Sequence, residues 1–321
     1  MGGLLIIYTL SGGARAVAYT QQLQFAIILL SMFLAGYLLV HLMPEQVGFV
    51  DALDISGKLG KLNVITDGMT AKGFNWGDNY NIWSGIIGGF FLALSYFGTD
   101  QSQVGRFLTG KSVRESRLGL LMNGLVKIPM QFLILLVGAL LFSYYSFERA
   151  PLIFNQVQEE RIQRSVYRDS FQLAQVRYDS FQSIKRRVAT EYVQAGGQGS
   201  VQASLLIPKL QQAQTEADAV RKQVKGWLND RVPGGDGNDT NYIFIRFVLD
   251  HLPAGLVGLL IAMIFLASWG SIAAAINSLA ACSMVDLHNR FAKHPAEGEQ
   301  AYLMSKWYTL GWGVFCIVVA M

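Results

Sequence analysis

Long stretches of the chain carry almost no polar residue, and these stretches decide its class. Residues 25–40 read FAIILLSMFLAGYLLV, without a single charge. Runs of similar character cover 14–43, 83–108, 118–147 and 254–287. A bilayer span takes about 20 mostly apolar residues, so each of these four runs is long enough to cross. Two shorter apolar stretches, 2–10 and 307–321, read as the end of one further helix and the start of another. The pattern predicts an all-α polytopic membrane protein, because lipid leaves a spanning segment no other way to pair its backbone outside a closed barrel. The chain opens and closes inside apolar segments, and no basic, cleavable leader follows Met1. An internal piece of a larger protein is therefore expected.

Between 148 and 242 the apolar pattern turns from continuous to periodic. Phe171, Ala174, Tyr178, Phe181, Val188 and Tyr192 follow spacings of three and four, with Lys185 taking one position of the seam. Leu210, Ala213, Ala217, Val220, Val224 and Trp227 repeat the arrangement. Between the two series lies GGQGS at 196–200, a helix breaker. The expectation is an antiparallel helical hairpin packed along its two seams. The alternative reading of the segment is a docking site for an external partner. The chain then divides into transmembrane helices at 1–147, an extramembrane helical-hairpin insert at 148–242, and further transmembrane helices at 243–321. The triplet Asn238-Asp239-Thr240 fits a glycosylation sequon, a pattern too common by chance to carry weight.

Composition agrees. Charged residues make up 15% of the chain and hydrophobic ones 52%, against about 25% charged in soluble domains. Mean hydropathy is +0.32. These values exclude a disordered chain, a disulfide scaffold and an ordinary soluble enzyme. Cys282 and Cys316 sit inside apolar runs, so neither a disulfide framework nor a zinc site is expected. The net charge of +4 is scattered rather than clustered, which argues against nucleic acid as a partner. The positive residues orient the chain instead. The loop 106–117 holds Arg106, Lys111, Arg114 and Arg117 against Glu115 alone; Arg15 precedes the first span, and Arg290, Lys293 and Lys306 follow the fourth. The positive-inside rule places these loops in the cytoplasm, and 44–82 and 148–242 outside. With no targeting signal, a bacterial inner membrane is the default location.

Polar residues inside the spans carry the functional argument, since a charge at the bilayer centre costs about 2.5–3.5 kcal/mol on insertion scales. Lys127 lies about 13 Å below the start of its span, close to the middle of a core about 30 Å thick. Pro129, two residues on, removes a backbone donor and frees a carbonyl nearby. The second span is interrupted by Gly85, Gly88, Gly89 and Gly98 and ends in polar residues. Tyr96 falls about 20 Å from its outer end. Glycine-interrupted spans point to a transporter's binding site, although small residues also serve close helix packing. Asp100 and Arg106 stand six apart near the inner boundary and read as a structural or gating ion pair. In the fourth span, Ala267-Ser268-Trp269-Gly270-Ser271 and Asn277-Ser278 line one face with oxygen, the ligand type that hard cations take.

Four segments together resemble the sodium:solute symporter family: GGARAVAYTQQLQ at 12–24, YFGTDQSQVGRFL at 96–108, GLVKIP at 124–129 and AINSLAACSMVDL at 275–287. The resemblance covers nearly everything except 148–242. It implies the leucine-transporter-type inverted repeat, with this chain running from the end of core helix four to the start of core helix nine. It also implies secondary active transport: sodium-coupled symport of a small polar solute, a sugar or an organic anion, by alternating access. The piece alone would not be functional, because helix one supplies part of both sites. By the same resemblance Tyr96 is an aromatic gate with Phe97 beside it, Lys127 is a hydrogen-bond donor to solute, and Ala93 stands where sugar carriers can place a polar contact. The main sodium site falls on Ala267, Gly270 and Ser271, where Gly270 lacks the expected hydroxyl. A second sodium site would fall on Gln21, Ala273 and Ala274, which lack the carboxylate and hydroxyls it needs. Sodium coupling is therefore expected to be weak. A transporter-like sensor, or proton coupling on the same fold, is the alternative.

Overall fold

The computed structural model describes residues 2–63, 66–70, 73–75, 81–108, 112–291 and 298–320, with the backbone alone for 11–16, 18, 70 and 106–108. Helix dominates it. The one ladder among the described residues pairs β1 (Met69–Thr70) with β2 (Gly73–Phe74), antiparallel. In chain order the helices begin with α1 (Gly2–His41) and α2 (Phe49–Lys58), followed after the ladder by α3 (Ile82–Gly98), α4 (Gln101–Leu108) and α5 (Val113–Phe147). The central set is α6 (Gln156–Gln163), α7 (Arg168–Gln194), α8 (Val201–Ser204), α9 (Ile207–Arg231) and α10 (Tyr242–His251). Last come α11 (Ala254–Cys282), continuing through a π-helical stretch at Ser283–His288 into α12 (Asn289–Phe291), and α13 (Gly298–Ala320).

Four stretches are long and apolar enough to cross a membrane: Tyr19–His41, Val113–Phe147, Ala254–Phe291 and Gly298–Ala320. Two expectations need correction here. The run 83–108 is not one span. Its helix α3 stops after 17 residues, at Gly98, where the Thr99 and Asp100 N–H groups both turn back to the Ser95 carbonyl at 3.0 Å. Asp100 then starts α4, accepting the Ser102 N–H at 2.9 Å and its hydroxyl at 2.7 Å. An aspartate that can cap a new helix competes with continuation of the old one. The final stretch, in turn, is a full helix of 23 residues rather than a beginning near 307. Its polar first turns, with Glu299, Gln300 and Lys306, hid it from a search for apolar runs.

Helix α1 is not straight. Tyr8 Oη and Thr20 Oγ1 stand 2.7 Å apart, yet twelve residues of straight helix would separate their backbones by about 18 Å. The axis therefore bends sharply between them, and Gly12 and Gly13 lie midway, as kinks at glycine and serine pairs do. The stretches 2–10 and 14–43, expected as separate helices, therefore fall on one bent helix, Gly2–His41.

The chain forms two compact units. One gathers Met1–Leu30, Thr66–Pro129 and Gly258–Met321; the other gathers Ser31–Ile65 and Met130–Val257. The second holds most of the buried side chains. Leu39, Ile55, Leu140, Phe147, Val188, Tyr192 and Phe247 form one core, and Leu152, Ile162, Tyr178, Val224 and Leu228 anchor another. Burying each such side chain contributes about 1.5–3 kcal/mol. Two serines in this core are paired: Ser56 Oγ donates to the Ala139 carbonyl at 2.8 Å and stands 2.8 Å from Ser143 Oγ, whose own proton goes to the Ala52 carbonyl.

Helices α7 and α9 form the expected hairpin, the most extensive helix pair of the molecule. Gly196, Gly197 and Gly199 take positive φ in the turn, a conformation glycine reaches without penalty. The seams differ in detail from strict heptads. Gln182 is buried where Phe181 was expected, and Leu228 where Trp227 was. Phe181 and Trp227 are half-buried and still pack against the same core. Trp227 also stacks on Tyr167, centroids 5.9 Å apart.

Candidate functional site

The break after α3 positions the first cluster. Tyr96 lies two residues before Gly98, half-buried. Its hydroxyl donates across the break to Gln103 Oε1 of α4 at 3.0 Å. Lys127 of α5 holds its ammonium over the Tyr96 ring, 5.3 Å from the centroid. A cation over an aromatic face at this distance is attracted by the ring quadrupole, by about 0.5–2 kcal/mol depending on desolvation. Phe97 meets Tyr96 edge to face, centroids 5.0 Å apart. Thus Tyr96, Phe97 and Lys127 are brought together, with Gln103 added. Ala93 lies on α3, one turn before Tyr96, and is exposed, as Lys127 is apart from its ring contact.

Gln103 was not anticipated from sequence. The signal that could have found it is the polar run after Gly98, once the helix break is recognised. Asp100 serves as the cap of α4. The side chain of Arg106 lies outside the described residues, and so do the side chain of Arg15 and all of Lys111 and Lys293.

The second cluster stands on α11. Ser271 Oγ donates to the Ala267 carbonyl at 3.2 Å, the back-bond a helical serine makes to the carbonyl four residues earlier. Gly270 between them is buried. A Cβ placed there would meet Gln21 Nε2 of α1 at 3.2 Å. The side chain of Gln21 therefore occupies the space a residue at 270 would use, which sequence reasoning did not foresee. Ala273 and Ala274 are buried on the same helix. The donor set is two oxygens, one carbonyl and one hydroxyl. That chemistry suits a hard monovalent cation and leaves most of its shell to other groups. Further along, the π-helical stretch is tied to α13 by Trp312 Nε1 donating to Ser283 Oγ at 2.8 Å and by His288 Nδ1 near Tyr308 Oη at 3.2 Å. Single π turns inside helices recur at functional sites.

Comparison with known proteins places these clusters in context. The model of the sodium:solute symporter family matches residues 1–163. The sodium/sialic acid symporter NanT of Aliivibrio fischeri is 22% identical over 321 residues, which is 100% of this chain and 46% of the relative. The sodium-dependent multivitamin transporter of Oryctolagus cuniculus is 25% identical over 325 residues, 100% of this chain and 36% of its own length. The sodium/glucose cotransporter 1 of Sus scrofa is 33% identical over 147 residues, 41% of this chain and 22% of the relative. The chain thus spans less than half the length of these curated relatives. No solved structure matches it. With the family model covering half of its length and the membrane-crossing helices in place, the chain belongs to the sodium:solute symporter family.

Proposed function

We propose that the chain carries part of the solute and ion pathway of a sodium-coupled symporter for a small polar solute, working by alternating access on a leucine-transporter-type inverted repeat. The supporting observation is the Lys127 ammonium held over the Tyr96 ring. A lysine so placed in a span is expensive unless it serves a partner, and its remaining donors are available to a sugar hydroxyl or a carboxylate. Tyr96 gates from one side, with Phe97 beside it and Gln103 fixing its hydroxyl. The relatives' names, which pair sodium with sialic acid, glucose or vitamins, support this class of cargo. Sodium is read at Ala267, Gly270 and Ser271, with Gly270 lacking an oxygen and the remainder supplied from outside this chain. In this reading residues 1–147 and 243–321 lie in the membrane, and 148–242 is an insert outside it. Asp100 and Arg106 belong to the inner gate.

The test is uptake by the full-length protein. Lys127→Ala is expected to raise the solute concentration for half-maximal uptake by a factor of about 10–100, the loss of one desolvated hydrogen bond to a charged donor, with expression unchanged. Unaltered uptake would return Lys127 to a packing role. Uptake driven by a pH gradient and indifferent to sodium would assign the coupling to protons. Binding without uptake would make the protein a sensor.

A further inference from the structure

A cavity in the second unit belongs to neither cluster above. It measures about 990 Å³ and lies among the end of α5, α6, the start of α7, and α10. Sites for small molecules commonly span about 300–1,000 Å³. Its lining mixes Arg149, Arg164, Arg168 and Arg246 with Glu148, Glu159, Glu160 and Asp250.

Most of these charges are already engaged. Arg149 pairs with Asp179 at 2.7 Å, Arg164 with Glu160 at 3.2 Å, and Glu148 with Arg186 at 3.5 Å. Two donors are not. Arg246 gives its Nε to Asp250 Oδ2 at 2.8 Å, while its Nη1 is buried without an acceptor among the described residues. The Tyr145 hydroxyl is buried in the same condition. Tyr145 is held in place by its ring, edge-on to Tyr144 at 5.2 Å and to Phe154 at 5.1 Å. Asp250 fixes the guanidinium in turn. A buried donor left unmet costs about 1–3 kcal/mol, and more when charged. Tyr145 and Arg246 both line one cavity with room for a solute, their two unmet donors set just behind its wall.

We propose that this cavity binds a small, singly charged carboxylate, received by Arg246 Nη1 and the Tyr145 hydroxyl. A guanidinium edge beside a phenol matches the two oxygens of a carboxylate. The charge balance of the lining selects against more highly charged anions. Four cations face four acids, so no strong positive field builds up for phosphate or a dicarboxylate. Burial holds the Glu159 carboxyl above the usual carboxylate range, even with Arg246 pulling it down, so its negative charge is the more easily given up when an anion enters beside it. Gln163, Gln172 and Gln175 offer hydrogen bonds to the polar body of such a solute.

The experiment measures binding of radiolabelled gluconate to the purified chain in detergent by equilibrium dialysis, with lactate and N-acetylneuraminate as further carboxylates. Sorbitol, the neutral counterpart of gluconate, and inorganic phosphate serve as competitors. At least one carboxylate is expected to bind saturably at millimolar concentration, and neither competitor to displace it. Tyr145→Phe, which removes only the hydroxyl, should weaken binding by about tenfold, and Arg246→Gln by more. All measurements are repeated in the Lys127→Ala background, which removes any carboxylate held on the proposed solute pathway, so that the saturable binding left reports this cavity alone. Absence of saturable binding for all three carboxylates would overturn the proposal. So would displacement by phosphate, or binding unaffected by Tyr145→Phe.

Discussion

The side-chain nitrogen of Gln21 lies 3.2 Å from where a Cβ on Gly270 would stand. The glycine seats the glutamine, and the same glycine withholds an oxygen from the proposed sodium site. Replacing it tests both at once. In full-length transporter, Gly270→Ser should lower the sodium concentration for half-maximal uptake several-fold, by roughly one hydrogen-bond-sized contribution of about 1 kcal/mol. The new Cβ displaces only the end of a flexible side chain, so the Gln21→Ala background should keep or enlarge the gain. Ser271→Ala should abolish sodium stimulation. A sodium requirement unmoved in all three variants would take the ion away from α11.

Lys185 predicts an unusual pH dependence for the hairpin. Burial pushes its ammonium down to about 8, helped by Arg221 and Lys61 and opposed by Asp218. Its Nζ reaches Gln214 Oε1 at 3.2 Å. Below pH 8 both folded and unfolded states hold the proton, and the folded state bears the full penalty of a buried charge. As pH rises toward the ordinary lysine value of about 10.4, the folded state releases the proton first. Stability of the purified chain should therefore increase over that window, by about 1.4 kcal/mol per unit at most. Lys185→Met should raise the thermal midpoint at pH 7 and flatten the rise. A midpoint that falls from pH 8 to 10 in the native chain and is lowered by methionine would contradict this.

Asp239 also lies below its ordinary value, but here the charged form is the one the fold favours. Its carboxylate is 1% exposed and is met by Arg221 at 2.7 Å, Lys225 at 2.6 Å and the Phe154 N–H at 2.9 Å. Burial alone would raise its carboxyl, but Arg221, Lys225 and that N–H together hold it below the usual range. The contribution is complete above about pH 4, the unfolded value, and is lost as pH falls through the lower folded one. Asp239→Asn keeps an acceptor for Phe154 but leaves two cations unmatched. A loss of about 3 kcal/mol is expected, read as a lower unfolding midpoint at neutral pH. An unchanged midpoint would mean that the cluster contributes no net stability.

Sidedness can be read at the hairpin turn. Gln198 is exposed between two glycines of positive φ. A cysteine there, with Cys282 and Cys316 replaced by serine, should react with an impermeant thiol reagent in intact cells carrying the full-length protein. Labelling only after lysis would invert the assigned orientation.

The helical class and the hairpin were open to reading because each rests on local periodicity. Continuous apolar runs announce spans, and paired three-four spacings announce a seam. The heptads placed Phe181 and Trp227 at the seam, where both pack half-buried, and missed that Gln182 and Leu228 beside them are buried more deeply. The break at Gly98 escaped because glycine alone does not end a helix; Asp100 acting as a cap does, and only with Ser102 in reach. Tyr96 and Lys127 were legible as polar residues at similar depth in two spans. Gln103 and Gln21 were not, since each finds its partner through a bend or a neighbouring helix. Tyr145 and Arg246 are a hundred residues apart and unremarkable singly. Only folding shows that both border one cavity.

The hairpin turn is not free at its tip. Tyr192 Oη donates to Asp54 Oδ2 at 2.5 Å, Gln194 Nε2 to Gln46 Oε1 at 2.8 Å, and Gln211 Nε2 to the Lys58 carbonyl at 2.8 Å. The segment around α2 and the hairpin are thus two halves of one joint, although some hundred residues of chain separate them. Moving the hairpin onto a relative by splicing 148–242 alone would leave Tyr192 facing a foreign surface. A working chimera has to carry 44–63 along with it, so the two stretches form a single transplantable cassette encoded in separate pieces.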